Sequence, residues 1–330
     1  MLLLVGRLAA VVVASLLAGT GGWRLLPAAT ITPVGYLTSA WTGSELVVFG
    51  RDAHRDLAAA YTHGAWRRLA PPNGPEGSYN GGYSSVWTGR EVLVWGPFDG
   101  LAYAPRSNTW RTLPAAPGIR HAPGIAVWTG RELVGWGGGC CGDAFSDGHA
   151  YDPAKNRWRA LPRSPLAGSQ HPIGAWTGRE LILFVAGVDP DGKPWPARLA
   201  RAAAYNPVTN AWRRISPLPT SSFGQTAAWD GREVLVVGGG TTKAFAFDPG
   251  ANRWRTLAPA PSRIAQAQAL WTGKHLLVWS AGVAYDPATN RWSRLPRAPV
   301  NTRAGATAAW TGRALLVWDG RRLHALDSAG

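Results

Sequence analysis

Cys140 and Cys141, the chain's two cysteines, stand side by side in the run GGGCCGDAFSDGH, which spans residues 137–149 and holds Asp143, Asp147 and His149. Adjacent cysteines have Cα atoms closer than an ordinary bridge prefers, so a disulfide between them forms a strained ring with a distorted peptide. The flanking glycines would accommodate it. Its plain role is to stiffen a long loop; its sharper roles are a hard, flat ligand platform or a redox switch. An intermolecular bridge is a further alternative. A second acidic stretch, Asp189-Pro190-Asp191-Gly192, opens like a calcium loop but lacks the later ligands, so it reads as a turn. It leads to Trp195, an aromatic between prolines. Such a residue is a sugar-stacking platform or a partner anchor, unless it folds back onto its own loop. His121 and His171, with Asp143 or Tyr36, are the one constellation with metal-binding potential. Rim histidines more often serve as hydrogen-bonding groups, and no metal is expected. His121 or His171 with Arg303 is the weak candidate for acid–base catalysis. There is no Gly-x-Ser-x-Gly, phosphate loop or zinc-protease motif.

The elements that carry these residues repeat along the chain. A Trp-(Thr/Asp)-Gly opener occurs at Trp41, Trp87, Trp128, Trp176, Trp229, Trp271 and Trp310, with spacings of 39 to 53 residues. A closing tryptophan occurs at Trp66, Trp110, Trp158, Trp212, Trp254 and Trp292. Each unit reads as four strands. In the unit at Trp128 these are Gly124–Trp128, Glu132–Trp136, His149–Tyr151 and Arg157–Leu161. Thr-Gly makes a tight hairpin turn, and Asp-Pro-x-x-Asn makes a second one in which asparagine tolerates the left-handed region. Four-stranded units of this period predict the blades of a seven-bladed β-propeller. The small residues before several openers suit innermost strands crowded at the axis.

The seventh unit lacks a closer, and the missing piece stands at the other end of the chain. Trp23-Arg24-Leu25-Leu26-Pro27 matches Trp158-Arg159-Ala160-Leu161-Pro162 in register. The segment around Trp23 is therefore expected to be the outer strand of the last blade, pairing with Leu323–Asp327 and closing the ring. A single propeller domain over residues 22–330 follows.

These units resemble kelch repeats, and the whole resembles the kelch/galactose-oxidase class of propellers. The residues that carry the resemblance are the double glycines Gly137-Gly138 and Gly238-Gly239, the Tyr-Asp-Pro-x-x-Asn-x-Trp segment, and the Leu-Pro exit. The class contains binding modules, scaffolds, oxidases and sugar isomerases, so the resemblance implies a fold rather than an activity. Copper radical chemistry of the galactose-oxidase kind uses a thioether between a separated cysteine and tyrosine, plus a histidine from an added C-terminal domain. Here the cysteines are adjacent and the chain stops in blade seven, so copper is disfavoured and no cofactor is expected. Sialidase-type Asp boxes are absent.

Measured against the repeat, every tryptophan except Trp195 falls in a shared position and reads as core between blades. The arginines are also periodic. Arg90, Arg131, Arg179, Arg232 and Arg313 follow the opener glycine. Arg24, Arg67, Arg111, Arg159, Arg213 and Arg255 follow the closing tryptophan on outer strands, where charge opposes edge-to-edge aggregation. The variable loops gather on one face, as expected of a binding surface on a rigid scaffold. That face should display Arg51, Asp52 and Arg55 in blade one, Phe98 and Asp99 in blade two, Asp143, Asp147 and His149 in blade three, and Asp189, Asp191 and Trp195 in blade four.

The chain of 330 residues carries a net charge of +15 although only 16% of it is charged. Such a balance could favour an anionic partner, but the periodic placement of the arginines weakens that inference. Leu8–Ala18 is an apolar run behind Arg7, followed by small residues. Residues 1–21 therefore resemble a secretory signal peptide, with an uncleaved membrane anchor as the alternative. Export makes nucleic acid an unexpected partner, and no nucleic-acid motif is present. The expectation is a secreted or extracytoplasmic monomer that binds a glycan, small molecule or protein through the loops of blades three and four. The rival is a small-molecule enzyme, a sugar isomerase or metal-dependent oxidase, at the channel mouth.

Overall fold

The computed structural model describes residues 22–52, 55–71, 82–96, 100–118, 121–139, 142–186, 201–220, 224–265, 268–300 and 305–327. They form seven four-stranded antiparallel sheets. Blade one comprises β2 (Gly35–Trp41), β3 (Leu46–Arg51), β4 (Asp56–Thr62) and β5 (Ala65–Leu69). Blades two to six repeat this order through β25 (Arg291–Arg294), with blade three built from β10 (Pro123–Trp128), β11 (Leu133–Gly138), β12 (Gly148–Asp152) and β13 (Arg157–Ala160). Blade seven contributes β26 (Thr307–Trp310), β27 (Ala314–Trp318) and β28 (Leu323–Asp327), and its fourth strand is β1 (Arg24–Leu25). Arg24 lies opposite Ala325 and Leu25 opposite His324. The N-terminal strand thus closes the ring as the register argument requires, and blade seven keeps no open outer edge at β28.

The turns behave as their residues dictate. In blade three, Thr129 N–H donates to the Glu132 carbonyl at 3.0 Å, and Gly130 takes a φ of 91°. Asn108, Asn156, Asn210, Asn252 and Asn290 all sit in the left-handed region, with φ between 47° and 54°. Hydrophobic burial is organised between blades rather than at the axis. Seven clusters each draw on two neighbouring blades, and the last joins Leu46 and Val48 of blade one to Leu316 and Trp318 of blade seven. Trp136, Trp279 and Trp318 are fully buried there, and Trp95 nearly so. Burying a large apolar side chain stabilises by roughly 1.5–3 kcal/mol, so these seams dominate the stability of the ring. The seven opener tryptophans pack against these seams, as expected. All are only half-buried, because each ends an inner strand at the turn side of the ring.

Two polar devices staple blade to blade. In six blades the closing tryptophan donates its indole N–H to the carbonyl at the exit of the preceding outer strand, whereas Trp110 Nε1 finds no partner among the described residues. Trp66 bonds Pro27 at 2.7 Å, Trp158 bonds Pro114, Trp212 bonds Pro162, Trp254 bonds Ser216, Trp292 bonds Ala258, and Trp23 bonds Pro296 at 2.9 Å. Two of these bonds cross the ring closure. The second device is the arginine after the closer. Arg159 forks onto Glu132 of its own blade, at 3.1 and 2.6 Å, and reaches Tyr205 Oη and Asn210 of the next. Arg111 does the same with Glu91, Tyr151 and Asn156, and Arg67 with Glu45, Tyr103 and Asn108. Arg213 pairs with Glu180 but finds the Pro249 carbonyl, because blade five has Phe247 in the tyrosine slot. Arg67, Arg111, Arg159 and Arg213 are therefore clamps between blades, a role beyond the expected guarding of outer edges, whereas Arg24 pairs within its own blade with Asp327. Each bidentate, half-exposed pair contributes about 1 kcal/mol.

Candidate functional site

The ring has two faces. One carries the tight turns between strands one and two and between strands three and four. The other carries the longer connections into strands one and three. The sequence-predicted residues divide sharply over that second, loop face. Phe98, Asp99, Cys140, Cys141, Asp189, Asp191, Trp195 and Arg303 lie outside the described residues. Asp143, Asp147, His149, His121 and His171 are described, and blade three brings three of them together.

The frame for that cluster is the end of β11. Gly137, Gly138 and Gly139 take φ values of 63°, 112° and 117°. A Cβ on Gly138 would stand 2.0 Å from the Ala122 carbonyl oxygen, so only glycine lets the chain pass there. The loop that follows is tied to the connection between blades three and four. Gly138 N–H donates to Ser169 O at 2.8 Å, Ser169 N–H to Phe145 O at 3.0 Å, and Phe145 N–H to Gly138 O at 3.1 Å. Gly137 N–H donates to Asp147 O at 2.9 Å. Gln170 donates its side-chain amide to Asp143 O at 2.7 Å, and Ser164 donates to Ser146 O at 3.2 Å. Beneath this platform Leu166 and Ala167 are buried in the seam with blade four. Residues 142–147 are thus held from both sides by backbone bonds, which fixes side chains that would otherwise sit on a free loop.

His121 lies at the entrance to β10, with a side chain only 10% exposed. Its Nδ1 is 3.1 Å from Ala122 O and its Nε2 is 3.2 Å from an Asp147 carboxylate oxygen. Both partners are acceptors, so the doubly protonated ring fits best. Burial works against that charge, but the bonds to Asp147 and Ala122 and the carboxylate charge together raise the His121 pKa above the usual histidine value. The hydrogen bond from His121 in turn holds the Asp147 carboxyl below the ordinary aspartate range, against its partial burial. The imidazole stacks flat on Phe145, with ring centroids 4.1 Å apart and planes 1° from parallel. Phe145 remains 37% exposed and the Asp147 side chain 45% exposed. The outward surface is therefore a carboxylate with two acceptor oxygens beside an aromatic ring, both backed by a buried imidazole.

His149 does not reach that surface. It is 6% exposed, and Nε2 is 3.0 Å from the Pro117 carbonyl, so the neutral Nε2–H tautomer fits. Burial lowers its pKa, with Asp147 opposing. Its Nδ1 is buried without a hydrogen-bond partner among the described residues. His149 supports the cluster from below rather than displaying itself. His171 is exposed; His121 takes Asp147 as its partner. Among the described residues no group of three or more His, Cys, Asp or Glu side chains is placed to hold a metal ion.

Blade one shows a similar displacement. Arg51, expected on the surface, is 4% exposed and pairs with buried Asp56 at 3.0 Å; Tyr83 also donates to Asp56. Tyr36 caps the group, edge-on to Tyr83 at 6.3 Å between centroids. It does so with a φ of 59°, at a register shift between Gly35 and Thr38. Phe145 is the residue that sequence reasoning passed over. Its signal was its place between Asp143 and Asp147, off every shared aromatic position.

No protein-family model matches the chain, and no curated protein does. Solved structures do match. The structure of YjhT superposes with a TM-score of 0.54 at 15% identity, covering 79% of this chain and 92% of that one. The fold is shared with 773 solved chains, too widely to indicate a role on its own.

Proposed function

We propose that this chain is an exported propeller that binds a ligand, a neutral glycan above all, through the loop face of blades three and four. The observation that carries the reading is the Asp147–His121–Phe145 unit on a doubly tied loop. A carboxylate that stays ionised accepts hydroxyl hydrogens, and the exposed ring beside it offers an apolar face to a pyranose. The proposal extends to Asp143 and to Trp195, Asp189 and Asp191 of blade four and Phe98 and Asp99 of blade two. It includes a structural bridge between Cys140 and Cys141. Both nitrogens of His121 are already engaged, which favours a positioning role over proton transfer and so favours binding over the isomerase or oxidase reading.

Binding to an immobilised panel of neutral oligosaccharides tests this. Phe145→Ala and Asp147→Asn should each weaken retention at least tenfold, about 1.4 kcal/mol, while the melting temperature moves by less than about 3 °C. Trp195→Ala should behave in the same way. Unchanged retention in Phe145→Ala and Asp147→Asn, or a fall in stability with binding intact, would reject the assignment.

A further inference from the structure

The turn face carries a different pattern. The residue after each opener glycine sits in the turn between strands one and two, the turn nearer the axis. In blades two to seven it is Arg90, Arg131, Arg179, Arg232, Lys274 and Arg313, and all six are exposed. Blade one has Ser44. The repeat therefore sets six cations around the axis on one side of the ring. Among the described residues Arg131 alone of the six forms an ion pair, with Asp152 at 3.8 Å.

The acids of this face are otherwise committed. Glu45, Glu91, Glu132, Glu180 and Glu233 are held by the interblade arginines. Asp248 and Asp286 cap the outer turns between strands three and four, and Asp230 caps the inner turn of blade five. Three residues before each cation stands a half-buried opener tryptophan. A cleft of about 650 Å³ between blades two and three is lined by half-buried Trp128 together with Arg90, Arg131 and Lys155.

We infer that the turn face docks on an anionic lipid bilayer. Three observations favour a membrane over a soluble polyanion. Cations alone would suffice for a polyanion, whereas alternating half-exposed tryptophans and cations suit the headgroup region, where indoles partition and cations meet anionic lipid. The cations form a ring in one surface rather than a groove that could track a chain. Finally, β1 runs antiparallel to β28, and Arg24 pairs with Asp327 at the turn-face end. The described chain therefore enters the fold at Trp23 on this same face, the side that bears the cations. The loop face then points away from the bilayer.

Sedimentation of the full chain with phosphatidylcholine vesicles, with and without phosphatidylglycerol, tests the inference. Binding should be stronger with phosphatidylglycerol, and that difference should vanish between about 0.1 M and about 1 M salt as the Debye length shrinks. Arg90→Ala/Arg232→Ala/Arg313→Ala should lower the phosphatidylglycerol-dependent binding about a hundredfold, or about fivefold per cation, from ~1 kcal/mol each. Arg201→Ala/Arg263→Ala/Arg297→Ala, on the loop face with the same change in net charge, should leave it nearly intact. Equal losses in both triple variants would overturn the inference. So would retention on a soluble sulfated polysaccharide with no preference for phosphatidylglycerol vesicles.

Discussion

Gly138→Ala should destabilise the protein by about 3–5 kcal/mol, whereas Gly142→Ala, four residues on, should cost only about 1–2. Both glycines have positive φ, 112° and 99°. They differ in what a methyl group would meet. At Gly138 it would lie 2.0 Å from Ala122 O and 2.8 Å from Gly124 N, both backbone atoms of the neighbouring strand entry. Neither can rotate away, so β10 and β11 must part where Pro123 pairs with Gly138. At Gly142 nothing lies within 4 Å, and the cost is the backbone conformation alone. Chemical denaturation of the two variants reads the difference. Because Gly138 also sets the entrance of His121, its substitution should abolish oligosaccharide retention, and Gly142→Ala should not. Equal destabilisation by both would show that the β11 exit is looser than described.

Removing residues 1–26 should cost about 5 kcal/mol or more and make the protein prone to aggregation. The deletion takes away the β1–β28 pairing, the Trp23 indole and its bond to Pro296 O, and the ion pair of Arg24 with Asp327. Losing a large packed aromatic alone costs about 3–5 kcal/mol when the side chain is buried, and Trp23 is half-buried, so the hydrogen bonds must make up the rest. Leu26 is lost as well, from the seam that joins blade seven to blade one. The exposed edge of β28 then presents unpaired backbone groups to other chains. Denaturation midpoints and light scattering on the truncated chain report both effects. A truncated protein that scatters no more light than the full chain and keeps its stability would mean that the ring does not depend on this closure.

The propeller was legible because its blades share a register, and the closing strand because a fragment of that register was missing at one end and present at the other. The interblade clamps were not read, although a signal was there. Five blades pair a glutamate four residues after the opener with an arginine after the closer. Blade six has His275 and Ser293 in those two places, so both members are absent together there, whereas blade seven has Ala314 with Arg24, which takes Asp327 as its partner. That joint absence marks a pair, but its partners in the next blade depend on how sheets pack, which no single repeat encodes. The site was legible only in part. Asp143, Asp147 and His121 stood out as departures from the repeat. The burial of His149 and Arg51 did not, because strand parity places a side chain on a face without telling whether a neighbouring loop covers it. His149 lies under the Pro117 carbonyl, supplied by the connection from blade two.

The central claim is that recognition belongs to the loop face of blade three. Carbodiimide labelling of carboxyl groups, with and without a mixture of neutral oligosaccharides, addresses it most directly. Asp143 and Asp147 should be protected when the sugars are present, and Asp248 and Asp286 on the opposite face should label as before. Protection confined to the turn-face carboxylates, or none at Asp147, would contradict the account.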